Sequence, residues 1–202
     1  MPADPQPFLP FPVPREAVPV AREYRSTMLR STVAILAQRG LYERYVAELA
    51  PEHRDAILAT VPAQWLPFAV GMAHYEACDR LGLSELEQAS IGWETARRFH
   101  GPVLMTALRL AGKVRSPWFA ATLAQRNWGR VWNGSAMAVS RLSANEALVE
   151  LAGWPAVRID FARSAFRGAI RGTIEYFCRR AEVVEARELR TATSLGLRVK
   201  WF

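Results

Sequence analysis

His74 and Cys78 stand four residues apart, the spacing that puts an imidazole and a thiol on one helix face and offers two ligands to one metal ion. The run around them, Gln64–Leu81, is otherwise apolar and no second pair accompanies them. The pattern therefore favours a packed histidine and a small buried thiol. His100 lies between Arg98 and the Gly101–Pro102 step, where a lone imidazole can serve as an axial haem ligand, a general base or a polar helix cap. No phosphate-cradling glycine loop, no G-x-S-x-G elbow, no H-E-x-x-H and no C-x-x-C occurs. The familiar hydrolase, kinase and zinc signatures are thus missing from the sequence.

Aromatic residues offer a second kind of chemistry. Seven tryptophans occur, and Trp128 and Trp132 share a helix face. Aromatics at that spacing are core, or else they wall an apolar pocket in which indole N–H groups orient a ligand. A ligand site is expected between the helical layer and the later strand–helix unit, where Trp128, Trp132 and Phe166 can converge. Arg97 or Arg130 would stand at its mouth to hold an acidic end, with His100 as a further polar candidate. Arg163, Arg167 and Arg171 form an i,i+4 ladder, a solvated face by default and a phosphate-contacting one otherwise. Gly168, Ala169 and Gly172 on the same stretch permit close approach of another element, such as a partner helix.

The elements that must position these residues follow from punctuation and period. Residues 1–19 hold seven prolines with Phe8, Leu9 and Phe11 between them, so an extended Pro-rich arm is expected there, laid on the body or on a neighbouring protomer. Residues 20–202 are expected to form a single α+β domain. Helical spacing runs from Val20 to Gly40, over Leu41–Leu49, from Pro51 and over Gln64–Leu81. Ser84 and Glu87 have capping-box spacing and open Glu85–Phe99. Gly101–Pro102 is expected to break that run before Val103–Leu110. Ser116–Pro117 starts a helix that carries Trp118, Trp128 and Trp132.

Beyond Asn133–Gly134 the period changes to two. Strands are expected around Met137–Leu142 and Ala147–Ala152. Asp160 can cap a long helix with Ala162, Phe166, Ile170, Ile174 and Phe177 on its buried stripe, and Val183–Arg190 pairs with Leu195–Trp201. The expected fold is α+β: an N-terminal helical layer packed with a four-stranded antiparallel sheet in ββαββ order.

The chain has 202 residues, half of them hydrophobic and 22% charged, which suffices for a substantial core and argues against disorder. Charge is uneven. Residues 1–90 hold 8 Arg against 11 acids, whereas residues 91–202 hold 16 Arg and 2 Lys against 8 acids. No acid lies between Glu94 and Glu146. Such a field attracts an anionic partner, but no recognition module for nucleic acid is present, and nucleic acid is disfavoured. Two cysteines cannot make a disulfide framework, and neither a secretory leader nor a membrane-length apolar run is visible, so a cytoplasmic location is expected.

The run Trp65–Gly92, with SPWF at Ser116–Phe119 and WNGSAMAV at Trp132–Val139, resembles an uncharacterised family of soluble myxobacterial proteins, which brings no activity with it. From about Gly134 to Trp201 the order of elements is similar to that of vinyl-4-reductase-like domains. Those share a fold with TRAPP vesicle-tethering subunits, and a more distant likeness to haem-nitric-oxide-binding domains has been proposed for them. The resemblance implies an α+β body that holds an apolar small molecule or acyl chain, often as a dimer. Two departures count against metal chemistry: the stretch Arg187–Trp201, where sensor members of that superfamily carry a cysteine cluster, has no cysteine, and the Y-x-S-x-R haem-propionate motif is missing. No position carries over a catalytic role.

The reading is therefore a non-enzymatic binding or sensory domain for a small apolar, acyl or aromatic molecule with or without an acidic end. It names no cofactor or metal, and it expects a homodimer or a partner protein. The alternatives are an assembly protein using the arm and a small-residue helix face, and a biosynthetic enzyme with a closed apolar pocket.

Overall fold

The computed structural model describes residues 6–110 and 116–202, the side chains of 99–110 excepted. In chain order the elements are β1 (Gln6–Leu9), β2 (Glu23–Arg25), α1 (Ser26–Gln38), α2 (Tyr42–Glu48), α3 (Pro51–Leu58), β3 (Trp65–Pro67), α4 (Phe68–Asp79), α5 (Glu85–Leu110), α6 (Pro117–Val131), β4 (Trp132–Asn133), β5 (Ala136–Ser143), β6 (Glu146–Ala152), α7 (Asp160–Ile174), β7 (Ala181–Glu185) and β8 (Leu195–Trp201). The class is α+β with two antiparallel sheets.

The larger sheet has five strands in the order β1-β5-β6-β8-β7, not the expected four. The fifth comes from the arm, where Gln6 pairs with Arg141 and Leu9 with Val139 across a bulge. Proline is tolerated on an edge strand, and pairing there covers backbone groups of β5 that would otherwise be exposed. Along β8 the period of two holds: Leu195, Leu197, Val199 and Trp201 are buried while Arg198 and Lys200 are exposed.

The second sheet was not anticipated. It has three short strands in the order β3-β2-β4, with Tyr24 opposite both Leu66 and Trp132. β2 runs straight into α1, β3 straight into α4, and α6 runs straight into β4.

The three short strands take residues expected in helices, so α1 begins at Ser26 and not Val20, α4 at Phe68 and not Gln64, and Trp132 follows α6 in β4. Two further helix boundaries shift for identifiable reasons. α5 continues through Gly101–Pro102 to Leu110 as one helix, since an internal proline removes one backbone hydrogen bond and does not oblige a helix to end. Asp160 does not cap α7. It occupies the first helical turn, and the Asp79 carboxylate at the end of α4 accepts the Phe161 N–H at 2.8 Å instead. The Ser84 capping box does form, with Glu87 Oε2 accepting the Ser84 N–H at 2.8 Å. This hydrogen bonding to Ser84 lowers the Glu87 carboxyl below its usual range. Ser116 caps α6 by accepting the Phe119 N–H at 3.3 Å.

α5 and α7 pack at backbone distance, so the small-residue stripe of α7 meets a helix of its own chain. A Cβ added at Gly168 would lie 1.8 Å from the Ala89 carbonyl oxygen, and one at Gly92 would lie 1.8 Å from that of Ala165. Gly129 in α6 has nothing within 4 Å of its Cβ position. Gly168→Ala is expected to lower unfolding stability in urea by about 3 kcal/mol or more by forcing the helices apart. Gly129→Ala is expected to raise it by about 0.5–1 kcal/mol through helix propensity.

Candidate functional site

The interior aromatic rings form a connected wall. Trp128 lies 6.0 Å from Trp132 and 6.2 Å from Phe166, edge to face with the latter. Trp154 lies 5.3 Å from Phe166, 6.1 Å from Trp132 and 6.4 Å from Tyr75. These rings enclose one side of a cavity of about 500 Å³, closed by residues of α1, α4, α5, α6 and α7 that include Met28, His74 and Thr95. The volume lies in the range of small-molecule sites. α7 therefore has two working faces: Gly168 and Gly172 meet α5, while Phe166 and Ile170 border the cavity and stay only half-buried.

Trp128 is held by the turn that follows α6. Its Nε1–H donates to Ser135 Oγ at 3.1 Å, and Ser135 itself has a left-handed backbone (φ 58°). Gly134 precedes it at φ 84°, with the Val20 carbonyl oxygen 2.4 Å from where a Cβ would stand. The Trp128 indole N–H is thus committed to the protein and is not free to orient a ligand.

His74 and Cys78 do lie side by side. Cys78 Sγ is 3.9 Å from His74 Nδ1, and burial pushes its thiol pKa up. The Tyr45 hydroxyl and His74 Nδ1 share a hydrogen bond of 2.7 Å. Burial lowers the His74 pKa from 6.5 to about 3, so the ring is neutral at pH 7. Among the described residues no three His, Cys, Asp or Glu side chains gather as a metal site.

The expected site residues divide. Trp128, Trp132, Phe166 and Arg130 border the cavity, with Arg130 exposed at its mouth. Arg97 does not border it: its guanidinium is sandwiched 4.6 Å from the Trp93 ring and 4.3 Å from the Tyr176 ring, tying α5 to the segment after α7. The side chain of His100 lies outside the described residues. Tyr75 and Trp154 were missed. Both appear in the sequence as ordinary aromatics, and only the chain's long-range path brings them to the cavity. The Arg163, Arg167 and Arg171 ladder is taken up by ion pairs with Asp160 and Glu185, with Glu85, and with Glu175 respectively, so it does not stand open to phosphates.

The buried imidazole gives a pH signature. Unfolded, His74 takes up a proton near pH 6.5; folded, it does so only near pH 3. Between those values the unfolded state binds more protons. The contribution is therefore fully present above about pH 6.5 and is lost as pH falls toward 3. Its slope is at most about 1.4 kcal/mol per pH unit. Urea denaturation at pH 7, 5.5 and 4.5 is expected to show a flatter decline in His74→Gln than in the wild type.

No protein-family profile matches the sequence, and no curated protein matches it. Solved structures are similar in fold. The Fe(II) unliganded H-NOX protein from K. algicida has a TM-score of 0.61 at 11% identity, covering 88% of this chain and 96% of that one. An oxygen-binding H-NOX domain related to soluble guanylate cyclases, as its oxygen complex, has a TM-score of 0.57 at 11% identity, covering 88% and 94%. A mutant of the T. tengcongensis H-NOX protein has a TM-score of 0.52 at 13% identity, covering 88% and 97%. These neighbours overturn the expected likeness to vinyl-4-reductase-like and TRAPP-type domains, and no sequence match supports the myxobacterial family. That expectation leaned on the order of elements after Gly134, whereas the H-NOX likeness covers most of the chain. The chain has the fold of H-NOX domains.

Proposed function

We propose that this chain is a non-enzymatic, sensory-type domain that holds an apolar, acyl or aromatic small molecule in the cavity between α1, α4, α5, α6 and α7. The observation that carries the reading is the space of about 500 Å³ with Trp128, Trp132, Trp154 and Phe166 on its wall. A recess of this volume, lined mainly by apolar and aromatic side chains with a few polar groups, has the form of a small-molecule site. Any acidic end of the ligand is held at the mouth by Arg130, because the described wall has no other charged side chain.

The H-NOX neighbours include an oxygen complex and proteins studied for haem distortion, which raises haem as the occupant. Haem needs an axial ligand with access to the iron and partners for two propionates. Among the described residues, which do not include the His100 side chain, the wall does not supply these. The His74 side chain is 1% exposed and presents almost no surface to the cavity, Arg130 is a single cation, and Y-x-S-x-R is missing from the sequence.

Native mass spectrometry of freshly purified protein is expected to show a co-purifying small molecule, and N-phenyl-1-naphthylamine, a neutral apolar dye, is expected to fluoresce on uptake. Trp128→Ala is expected to abolish dye uptake while lowering stability by less than about 2 kcal/mol, since Trp128 is half-buried. A fully packed tryptophan would cost roughly 3–5 kcal/mol, and that result would return Trp128 to the core. Arg130→Gln is expected to weaken 2-naphthoate about tenfold to a hundredfold and leave the neutral dye unchanged, read by fluorescence titration.

A further inference from the structure

We infer that the part of the ligand inside the cavity, away from Arg130, carries an uncharged oxygen acceptor (a carbonyl, ether or hydroxyl oxygen), and that the Tyr75 hydroxyl is the group that donates to it. This rests on the binding reading above and goes beyond it by naming the polar group that meets the ligand inside.

The argument begins with which polar hydrogens on the wall are already used. Thr173 donates to the Ala169 carbonyl at 2.9 Å, Thr32 to that of Met28 at 3.2 Å, Asn127 to that of Leu123 at 2.8 Å, and Trp128 to Ser135. The Tyr45 hydroxyl takes up His74 Nδ1. Tyr75 is different. It borders the cavity, it keeps accessible surface although it lies deep in the domain, and no described residue hydrogen-bonds its hydroxyl. Beside it Trp154, which also borders the cavity and is 1% exposed, has an indole N–H with no acceptor among the described residues.

The Trp154 indole N–H is desolvated without a described partner, which is costly, and the neighbouring Tyr75 keeps accessible surface with no described residue on its hydroxyl. A ligand oxygen in the cavity meets the Tyr75 hydroxyl, whereas Trp154, as buried as His74, presents almost no surface to it. Charge limits what that oxygen belongs to. Away from Arg130 the described wall has no cation, and burial keeps His74 neutral and the Tyr75 hydroxyl protonated. A carboxylate or phosphate placed among these rings would lose its hydration without a counter-charge. A ketone, ester, ether or alcohol oxygen loses far less and gains the hydrogen bond.

The test uses two probes of nearly equal shape, 2-acetylnaphthalene and 2-ethylnaphthalene, titrated against tryptophan fluorescence in the wild type and in Tyr75→Phe. The ketone is expected to bind the wild type about tenfold more tightly than the hydrocarbon. In Tyr75→Phe that advantage is expected to vanish while 2-ethylnaphthalene binds as before. Equal affinities of the two probes for the wild type overturn the inference and leave the binding reading standing, and this arm does not depend on the variant folding. An advantage that persists in a folded Tyr75→Phe also overturns it, by moving the donor elsewhere. If neither probe nor the neutral dye enters the wild type, the binding reading itself has failed and the inference falls with it.

Discussion

Three strands of two or three residues each set the geometry on which the cavity depends. β2 carries Tyr24 between Leu66 of β3 and Trp132 of β4, and the Tyr24 ring stacks on Trp132 at 5.9 Å. From this small sheet α1 and α4 depart and α6 arrives, so the directions of three cavity walls are fixed where their ends are hydrogen-bonded together. A Cβ on Gly71 would stand 2.8 Å from the Tyr24 ring, which brings the first turn of α4 directly onto it. A strand this short has little stability of its own. It persists because each strand buries one large side chain, Tyr24, Leu66 or Trp132, in the core.

The remaining walls come from contacts made elsewhere. α7 is pressed onto α5 at Gly92 and Gly168, and that approach turns Phe166 and Ile170 toward open space. α6 is pinned from outside by the arm and the sheet: Gln125 donates to the Pro10 carbonyl at 2.9 Å and to that of Met137 at 3.1 Å. At its start Trp118 meets Phe8 at 5.0 Å and Trp201 at 4.9 Å, with the Arg141 guanidinium 4.5 Å from the Trp118 ring. Apolar arm residues that look out of place in a polar tail thus cover the outer face of a helix whose inner face borders the cavity.

Much of this was legible in the sequence, and the illegible part has a common cause. The change of period at Met137 and the alternation over Leu195–Trp201 announced the strands, and Ser84–Glu87 and Ser116–Pro117 announced two helix starts. Trp128, Trp132 and Phe166 were placed together from spacing and order, and they do share one wall. What failed was long-range. β2, β3 and β4 are too short to show a period, and Asp79 caps a helix that begins about eighty residues later. Tyr75 and Trp154 meet only through the fold, and Arg97 was assigned to a mouth from which two aromatic faces withhold it.

Three indoles in sequence, Trp128 to Trp132 to Trp154, stand with successive ring centres 6.0 and 6.1 Å apart. At such separations the electronic transitions of neighbouring rings couple, and the sign and strength of the coupling depend on their mutual tilt, here 33° for the first pair and 77° for the second. A molecule that reorients any one of these rings alters the near-ultraviolet circular dichroism of the whole row. The domain therefore carries an intrinsic optical reporter beside its cavity, sensitive to ring geometry and requiring no attached label.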